Sequence, residues 1–297
     1  MFVSSLLSES EHHMRFLILG CNGMAGHTIS LYLKEQGHEV FGFDLRPSLL
    51  IDSTTGNAMD SAFIKELVGT NKYDSIINCI GLLNQFAENN KAGAAYLNGY
   101  FPHYLALLTE GTDTQVIHMS TDCVFSGKRG QYTEDDLRDG ETFYDRSKAL
   151  GELEDDKNIT LRNSIVGPDI NPNGIGLLNW FMKQEDTVNG FLGAIWTGQT
   201  TLQLAKTMEA AAKTKAHGLF NTVPADSINK YELLKRFNHY MRNDKITILP
   251  VDKTVADKSL KRTRFDFDYL IPDYEQMVSE LADWMRDHKK LYPHYDL

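Results

Sequence analysis

An apolar run, Phe16-Leu17-Ile18-Leu19, passes directly into Gly20-Cys21-Asn22-Gly23-Met24-Ala25-Gly26 and then into a helical pattern. Few folds use that order. A short, continuously apolar strand needs cover on both faces, which is the habit of parallel sheets. Parallel strands need a crossover, and the helix that follows can supply it. Three glycines in GxxGxxG spacing permit a tight turn. They also let backbone N–H groups come close to an anion at a helix N-terminus. The spacing differs from the GxGxxG dinucleotide fingerprint, so the mechanism carries over rather than the pattern. The same glycines would also serve a turn that only joins strand to helix.

The alternation continues along the chain. Glu39–Phe43, Ser75–Cys79, Gln115–Met119 and Ile159–Ile165 read as strands. Thr28–Gln36, Ser61–Val68, Ala94–Leu108 and Phe143–Leu153 read as helices between them. This predicts an α/β fold, a doubly wound, Rossmann-like parallel sheet, over residues 14–166. Past Val166 the pattern loosens, with loops at Gly167-Pro168, Asn171–Gly174 and Gly190–Gly193. Helices are expected at Leu177–Lys183, Leu202–Ala212 and Tyr274–His288, and strand-like runs at Leu219–Val223 and Ile246–Leu249. Residues 167–297 therefore read as a smaller C-terminal region that partly returns to the sheet. Residues 1–13 read as a disordered extension, with the folded chain starting at Met14.

Charge and cysteine usage narrow the partners. With 40 acidic and 30 basic side chains, the net charge of -10 argues against nucleic acid and anionic membrane surfaces. No apolar stretch is long enough to span a bilayer. Three scattered cysteines and unclustered histidines suggest neither disulfides nor a metal site. A reducing, cytoplasmic setting fits.

Two further motifs carry chemistry. Asp44 ends the second strand, where a carboxylate can accept from an adenosine ribose and repel a 2′-phosphate. That favours NAD(H) over NADP(H), although Arg46 could attract the phosphate. Thr121 and Asp122 follow the strand ending in His118-Met119-Ser120, and Tyr144 and Lys148 stand four apart in an expected helix. Residues four apart share a helix face. An ammonium beside a phenol would lower its pKa and ready it for proton exchange with a carbonyl or alcohol oxygen. Thr121 could hold that oxygen. Tyr231 and Lys235 repeat the same spacing without a Ser-Thr strand end before them, and read as an ordinary helix. Cys21, Cys79 and Cys123 should gather at one cleft, with Cys21 near a helix N-terminus that favours thiolate. Lys258–Arg264 is a cationic run that fits a diphosphate clamp or a solvated loop equally well.

Together these motifs resemble the extended short-chain dehydrogenase/reductase family. Ser120-Thr121-Asp122-Cys123-Val124-Phe125-Ser126-Gly127 resembles the dTDP-4-dehydrorhamnose reductases and their nucleotide-sugar relatives. The resemblance implies a catalytic group of Thr121, Tyr144 and Lys148. It implies cofactor contacts from Gly20, Asn22, Gly23, Met24, Ala25, Asp44, Gly81, Leu82, Tyr144 and Lys148, with Asn57 and Ala58 near the adenine. Asp122 and Asn98 would meet the substrate, and the C-terminal region would be its binding side. The implied activity is NAD(P)H-dependent reduction of a 4-keto nucleotide-linked deoxysugar for cell-surface polysaccharide, with a homodimer allowed. An epimerase, or a non-catalytic regulatory subunit of the same fold, is the alternative. Cys123 after Asp122 replaces the acidic residue that related dehydratases carry there.

Overall fold

Residues 13–297 are described by the computed structural model; the expected extension over residues 1–13 lies outside them apart from His13. Strand β1 (Arg15–Leu19) leads to helix α1 (Met24–Glu35), strands β2 (Glu39–Asp44) and β3 (Asp52–Thr55), helix α2 (Ser61–Thr70) and strand β4 (Ser75–Asn78). Short helices α3 (Asn84–Asn89) and α4 (Lys91–Ala94) run through a π-helical turn, Ala95–Tyr100, into α5 (Phe101–Leu108). Strand β5 (Gln115–Ser120), helix α6 (Phe143–Leu150) and strand β6 (Ile159–Arg162) follow. Then come β7 (Ser164–Val166), α7 (Leu177–Met182), β8 (Thr187–Gly193), β9 (Ile195–Trp196), β10 (Gly198–Thr200) and α8 (Thr201–Thr214). The chain ends with β11 (Gly218–Asn221), β12 (Ile228–Asn229), α9 (Lys230–Arg242), β13 (Thr247–Thr254) and α10 (Tyr274–Asp287).

Seven strands form one sheet in the order β11-β6-β5-β4-β1-β2-β3, with every pair parallel. The chain moves outward from β1 to β3, then crosses back to β4 and runs the other way. The order therefore reverses between β1 and β4, and a crevice opens at their carboxyl ends. Side-chain alternation explains why both faces are covered. Phe16 and Ile18 pack under α1 and α8 with Ile29, Leu33, Leu204 and Met208. Leu17 and Leu19 point the other way, onto α2 and α5 with Ile64, Val68, Phe101 and Leu105. Each such side chain contributes roughly 1.5–3 kcal/mol on burial. A separate core, including Phe181, Leu233, Phe237, Met277 and Leu281, joins α7, α9 and α10.

The structure changes several expectations. Helix α1 begins at Met24, four residues before Thr28, because the glycine-rich turn feeds it without a spacer. The expected helix over Ala94–Leu108 is interrupted by the π-helical turn. The expected strand Ile159–Ile165 breaks at Asn163, whose side chain bonds to Ser164 O and Thr222 Oγ1. Beyond the break, β7 leaves the main sheet and pairs with β10. Gly190–Gly193 is not a loop: it lies in β8, which pairs with β13. Among the described residues, no helix is long and apolar enough to cross a membrane.

Candidate active site

At the glycine-rich turn, Gly20 adopts φ +83°, a region that side chains resist. A Cβ on Gly26 would lie 2.0 Å from the Gly20 carbonyl oxygen, so only hydrogen fits where α1 crosses the end of β1. Helix α1 starts at Gly23 with no side-chain cap and no acidic residue in its first turn. By contrast, α2, α6, α8, α9 and α10 are each capped by a side chain. The first-turn N–H groups of α1 are left open, and the helix dipole favours an anion there. This cradle fits a dinucleotide's pyrophosphate.

Asp44 braces the turn from the neighbouring strand. Its Oδ2 accepts from Asn22 N at 3.0 Å and its Oδ1 from Leu45 N at 2.7 Å. Asn22 Nδ2 donates to Arg46 O at 2.8 Å, so the Asn22 side chain closes the turn from outside. Arg46 itself is exposed. Asn57 is also exposed and accepts from Met59 N, while Ala58 is buried beside it.

A cavity of about 430 Å3 lies at the carboxyl ends of β1, β4 and β5. Gly23, Met24, Ala25, Gly81, Thr121, Asp122, Tyr144 and Lys148 all line it. Gly20, Asn22, Asp44, Asn57, Ala58, Leu82 and Asn98 do not. Asn98 is a correction. It is fully buried on the π-helical turn, and all of its polar capacity is turned to the protein. Its Oδ1 accepts from Leu82 N at 2.8 Å, and its Nδ2 donates to Leu82 O at 2.9 Å and Ser147 Oγ at 3.0 Å. It ties the Gly81-Leu82 wall to α6 instead of facing the cavity.

Helix α6 is held firmly at its start. Thr142 and Asp145 form a reciprocal capping box. Glu88, reaching over from α3, accepts from Phe143 N at 2.7 Å and Tyr144 N at 3.3 Å. Tyr144 is 7% exposed. Burial pushes its phenol well above the ordinary tyrosine value, Cys123 adds to this, and the Thr121 side chain pulls back. The expectation of a phenol lowered by Lys148 is therefore corrected. The Lys148 ammonium donates to Met119 O at 2.7 Å and is itself brought down to about 8 by burial, with Glu152 opposing. At neutral pH Tyr144 is a neutral proton donor, and Lys148 on the same cavity is still mostly charged.

Asp122 is also buried, which raises its carboxyl; the Thr121 hydroxyl, Lys258 and Ser164 hold it down. Thr121 Oγ1 donates to Asp122 Oδ1 at 3.1 Å. Under the strand end, Ser120 Oγ donates to Glu152 Oε1 at 2.6 Å. Arg162 is fully buried and grips both Glu152 oxygens, at 2.8 and 2.7 Å, while Arg138 adds a third bond at 2.6 Å.

The cysteines divide. Cys79 and Cys123 line the cavity, but Cys21 is fully buried with its sulfur against Gly42. Burial pushes all three thiols up to about 12, so Cys21 is not a thiolate despite the nearby helix N-terminus. The cationic run is mostly consumed internally. Arg262 donates to the carbonyls of Arg264, Phe267 and Tyr269, and Arg264 pairs with Asp135 and Glu154. Lys258 faces Asp145, 3.8 Å away. Tyr231 and Lys235 line a groove of about 440 Å3 on α9. There Arg236 pairs with Glu232 and Glu275, and the groove is bordered by Ile246 and Ile248 at the start of β13, not by the carboxyl end of a main-sheet strand.

The sequence reading missed Glu88 and the far wall of the cavity, where Asp169, Ile175 and Gly176 contribute. Gly174 and Gly176 flanking Ile175 are the signal that a loop there approaches something closely.

Comparison with known proteins agrees with this geometry. The chain is 31% identical over 140 residues to the spore coat polysaccharide biosynthesis protein SpsK of Bacillus subtilis, covering 46% of this chain and 47% of that protein. It is 34% identical over 149 residues to the probable low-salt glycan biosynthesis reductase Agl14 of Haloferax volcanii, covering 47% and 48%. The chain thus spans about half the length of these curated relatives. The crystal structure of the Bacillus anthracis dTDP-4-dehydrorhamnose reductase, in complex with NADP, superposes with a TM-score of 0.77 at 18% identity. That match covers 92% of this chain and 99% of the other, and shows the fold. The family model described as RmlD substrate binding domain matches residues 14–267, leaving the last α-helix and tail outside it. With most of its length matched, the chain belongs to the RmlD substrate binding domain family.

Proposed function

We propose that the protein is an oxidoreductase that reduces the 4-keto group of a nucleotide-linked deoxysugar, as a step in making a cell-surface polysaccharide precursor. The observation that carries this reading is the convergence of Thr121, Tyr144 and Lys148 on one cavity with the uncapped start of α1. The relatives' names, a glycan biosynthesis reductase and a polysaccharide biosynthesis protein, support the substrate class.

In this reading Gly20, Gly23, Met24, Ala25 and Gly81 receive a nicotinamide dinucleotide, with Asn57 and Ala58 towards the adenine. A bound nicotinamide supplies hydride to the carbonyl carbon. Tyr144 donates its proton to the oxygen as the alkoxide forms. Lys148, one helical turn on, stabilises the tyrosinate left behind. Thr121 turns its hydroxyl from Asp122 to the same oxygen, and Asp122 meets the sugar. Residues 14–166 supply most of the cofactor site, and residues 167–297 most of the substrate side. Turnover on a panel of 4-keto nucleotide sugars, with NADH or NADPH, tests the proposal. One cofactor consumed per product supports it. Interconversion of sugars without net cofactor consumption points to an epimerase and refutes it.

Asp44 bears on cofactor choice, and NAD(H) is the favoured partner. Asp44→Asn is expected to weaken NADH binding and shift the NADH/NADPH affinity ratio towards NADPH, because the charge that repels a 2′-phosphate is lost. The turn held at Asn22 N will also loosen, which weakens both cofactors alike. The ratio is therefore the decisive measurement, and an unchanged ratio removes Asp44 from the ribose site.

A further inference from the structure

The tail beyond α10 does not line the cavity but bonds to residues behind two of its walls. Tyr292 and Tyr295 are buried, with stacked rings 5.7 Å apart. Their hydroxyls part company and serve opposite walls.

Tyr292 serves the glycine-rich turn through His27. His27 is fully buried in α1, with Nδ1 3.0 Å from Gly23 O and Nε2 2.9 Å from the Tyr292 hydroxyl. A carbonyl oxygen only accepts, so Nδ1 carries the proton. Nε2 then accepts from Tyr292. The Gly23 carbonyl thus sets the tautomer, and the Tyr292 hydroxyl, donating to Nε2, holds the ring in the position from which it bonds Gly23. Thr28 Oγ1, 3.5 Å from the same nitrogen, is a longer and weaker alternative.

Tyr295 serves the loop across the cavity. Its hydroxyl accepts from Asp169 N at 3.0 Å and donates to Asn179 Oδ1 at 2.9 Å. Asn179 is fully buried and donates on to Gly174 O at 2.6 Å. Asp169 and Gly176 line the cavity opposite the turn, and a Cβ on Gly176 would meet Met24 Sδ at 2.9 Å. Both walls are therefore fixed from a single pair of rings.

We infer that Tyr292 and Tyr295 are positioning residues that set the spacing between the glycine-rich turn and the 169–176 loop to fit a bound dinucleotide. The inference rests on the cofactor reading above. Two variants that keep the rings, Tyr292→Phe and Tyr295→Phe, test it. In Tyr292→Phe, ¹⁵N-histidine spectra should show the His27 Nε2 resonance shifting as it loses its hydrogen-bond donor, with Nδ1 still protonated. In Tyr295→Phe, the Asp169 amide should exchange faster with solvent hydrogen. Each variant should bind NADH about three- to tenfold more weakly, the scale of one lost hydrogen bond. Tyr240→Phe, which removes a hydroxyl paired with Glu275 on the surface, should change none of these. Unchanged NADH affinity in both variants overturns the inference, as does an unchanged His27 Nε2 resonance in Tyr292→Phe. If the wild-type protein binds neither NADH nor NADPH, yet the His27 and Asp169 changes occur, the cofactor reading falls and the bracing of the two walls stands.

Discussion

Tyr144→Phe is expected to lower turnover about 10²–10⁴-fold, the range for loss of a general acid, while NADH affinity stays close to wild type. The ring packs with Ala87 and Ala94, and phenylalanine keeps those contacts. What disappears is the one hydroxyl that α6 presents to the cavity beside Thr121. Because burial keeps this phenol protonated at neutral pH, the wild-type enzyme is ready to donate without first taking up a proton. Lys148 sets the alkaline limit. Its folded value lies near 8, so support for the tyrosinate is present below that pH and is lost as pH rises through it. The reduction rate should fall over that interval. Tyr231→Phe is the control. Tyr231 lies under the Lys235 ammonium, 5.3 Å from its ring centre, in the α9 groove. Its hydroxyl can be removed with little effect on rate. Equal losses in the two variants would mean that the catalytic tyrosine has been misassigned.

Glu152→Gln should be the most destabilising conservative change, costing about 3 kcal/mol, the lower end of the range for breaking a buried ion pair. Arg162 has no exposed surface and would keep its charge with only an amide oxygen in place of a carboxylate. Burial alone would raise the Glu152 carboxyl, but Arg162, Ser120 and Arg138 bring it below the ordinary glutamate value. A depressed folded value means stability that is present above the unfolded pKa and is lost as pH falls through the folded one. Urea unfolding of the two proteins should therefore differ fully near about pH 7 and converge in acid. The same substitution removes a charge that raises Lys148, so the alkaline limb of activity should move to lower pH. A variant with the wild-type urea midpoint at every pH would show that the network contributes nothing net.

The legible parts of this chain were those where local sequence and tertiary environment make the same demand. Strands β1, β4 and β5 are buried on both faces, so their apolar runs announce them. The edge strand β3, Asp52-Ser53-Thr54-Thr55, carries no apolar residue because one side of it faces water, and the sequence reading passed over it. Strand β8 was hidden by Gly190 and Gly193, which read as loop; Gly190 is required by the Tyr231 backbone, 2.8 Å from where a Cβ would be. The site divides in the same way. Gly23, Thr121, Tyr144 and Lys148 occur in short motifs whose spacing already carries the geometry. Glu88 holds the start of α6, and Asp169 and Gly176 reach the cavity, only through packing between distant segments; the glycines around Ile175 mark a close approach but not what is approached. The Tyr144 pKa was misjudged for a related reason. Spacing shows that a lysine is one turn away, but not that the phenol is dehydrated or that the ammonium is engaged by Met119 O.

The placement of α8 and β11 has a consequence for synthesis of the chain. Phe16, Ile18, Ile29 and Leu33 are covered by Leu204, Ala205, Met208 and Ala212 of α8. The outer edge of the sheet at β6 is closed by β11, from Gly218–Asn221. A ribosome makes the strands first and their cover much later. Until residues 201–221 emerge, one face of the nascent sheet is covered by α1 alone and the hydrogen-bonding groups of β6 have no neighbour on that side. Exposed apolar surface and an open strand edge are the conditions under which partly made chains associate. A fragment ending at Val166 would retain the glycine-rich turn and α6 and still be prone to aggregate, so the first half of the chain depends on later residues to stay soluble.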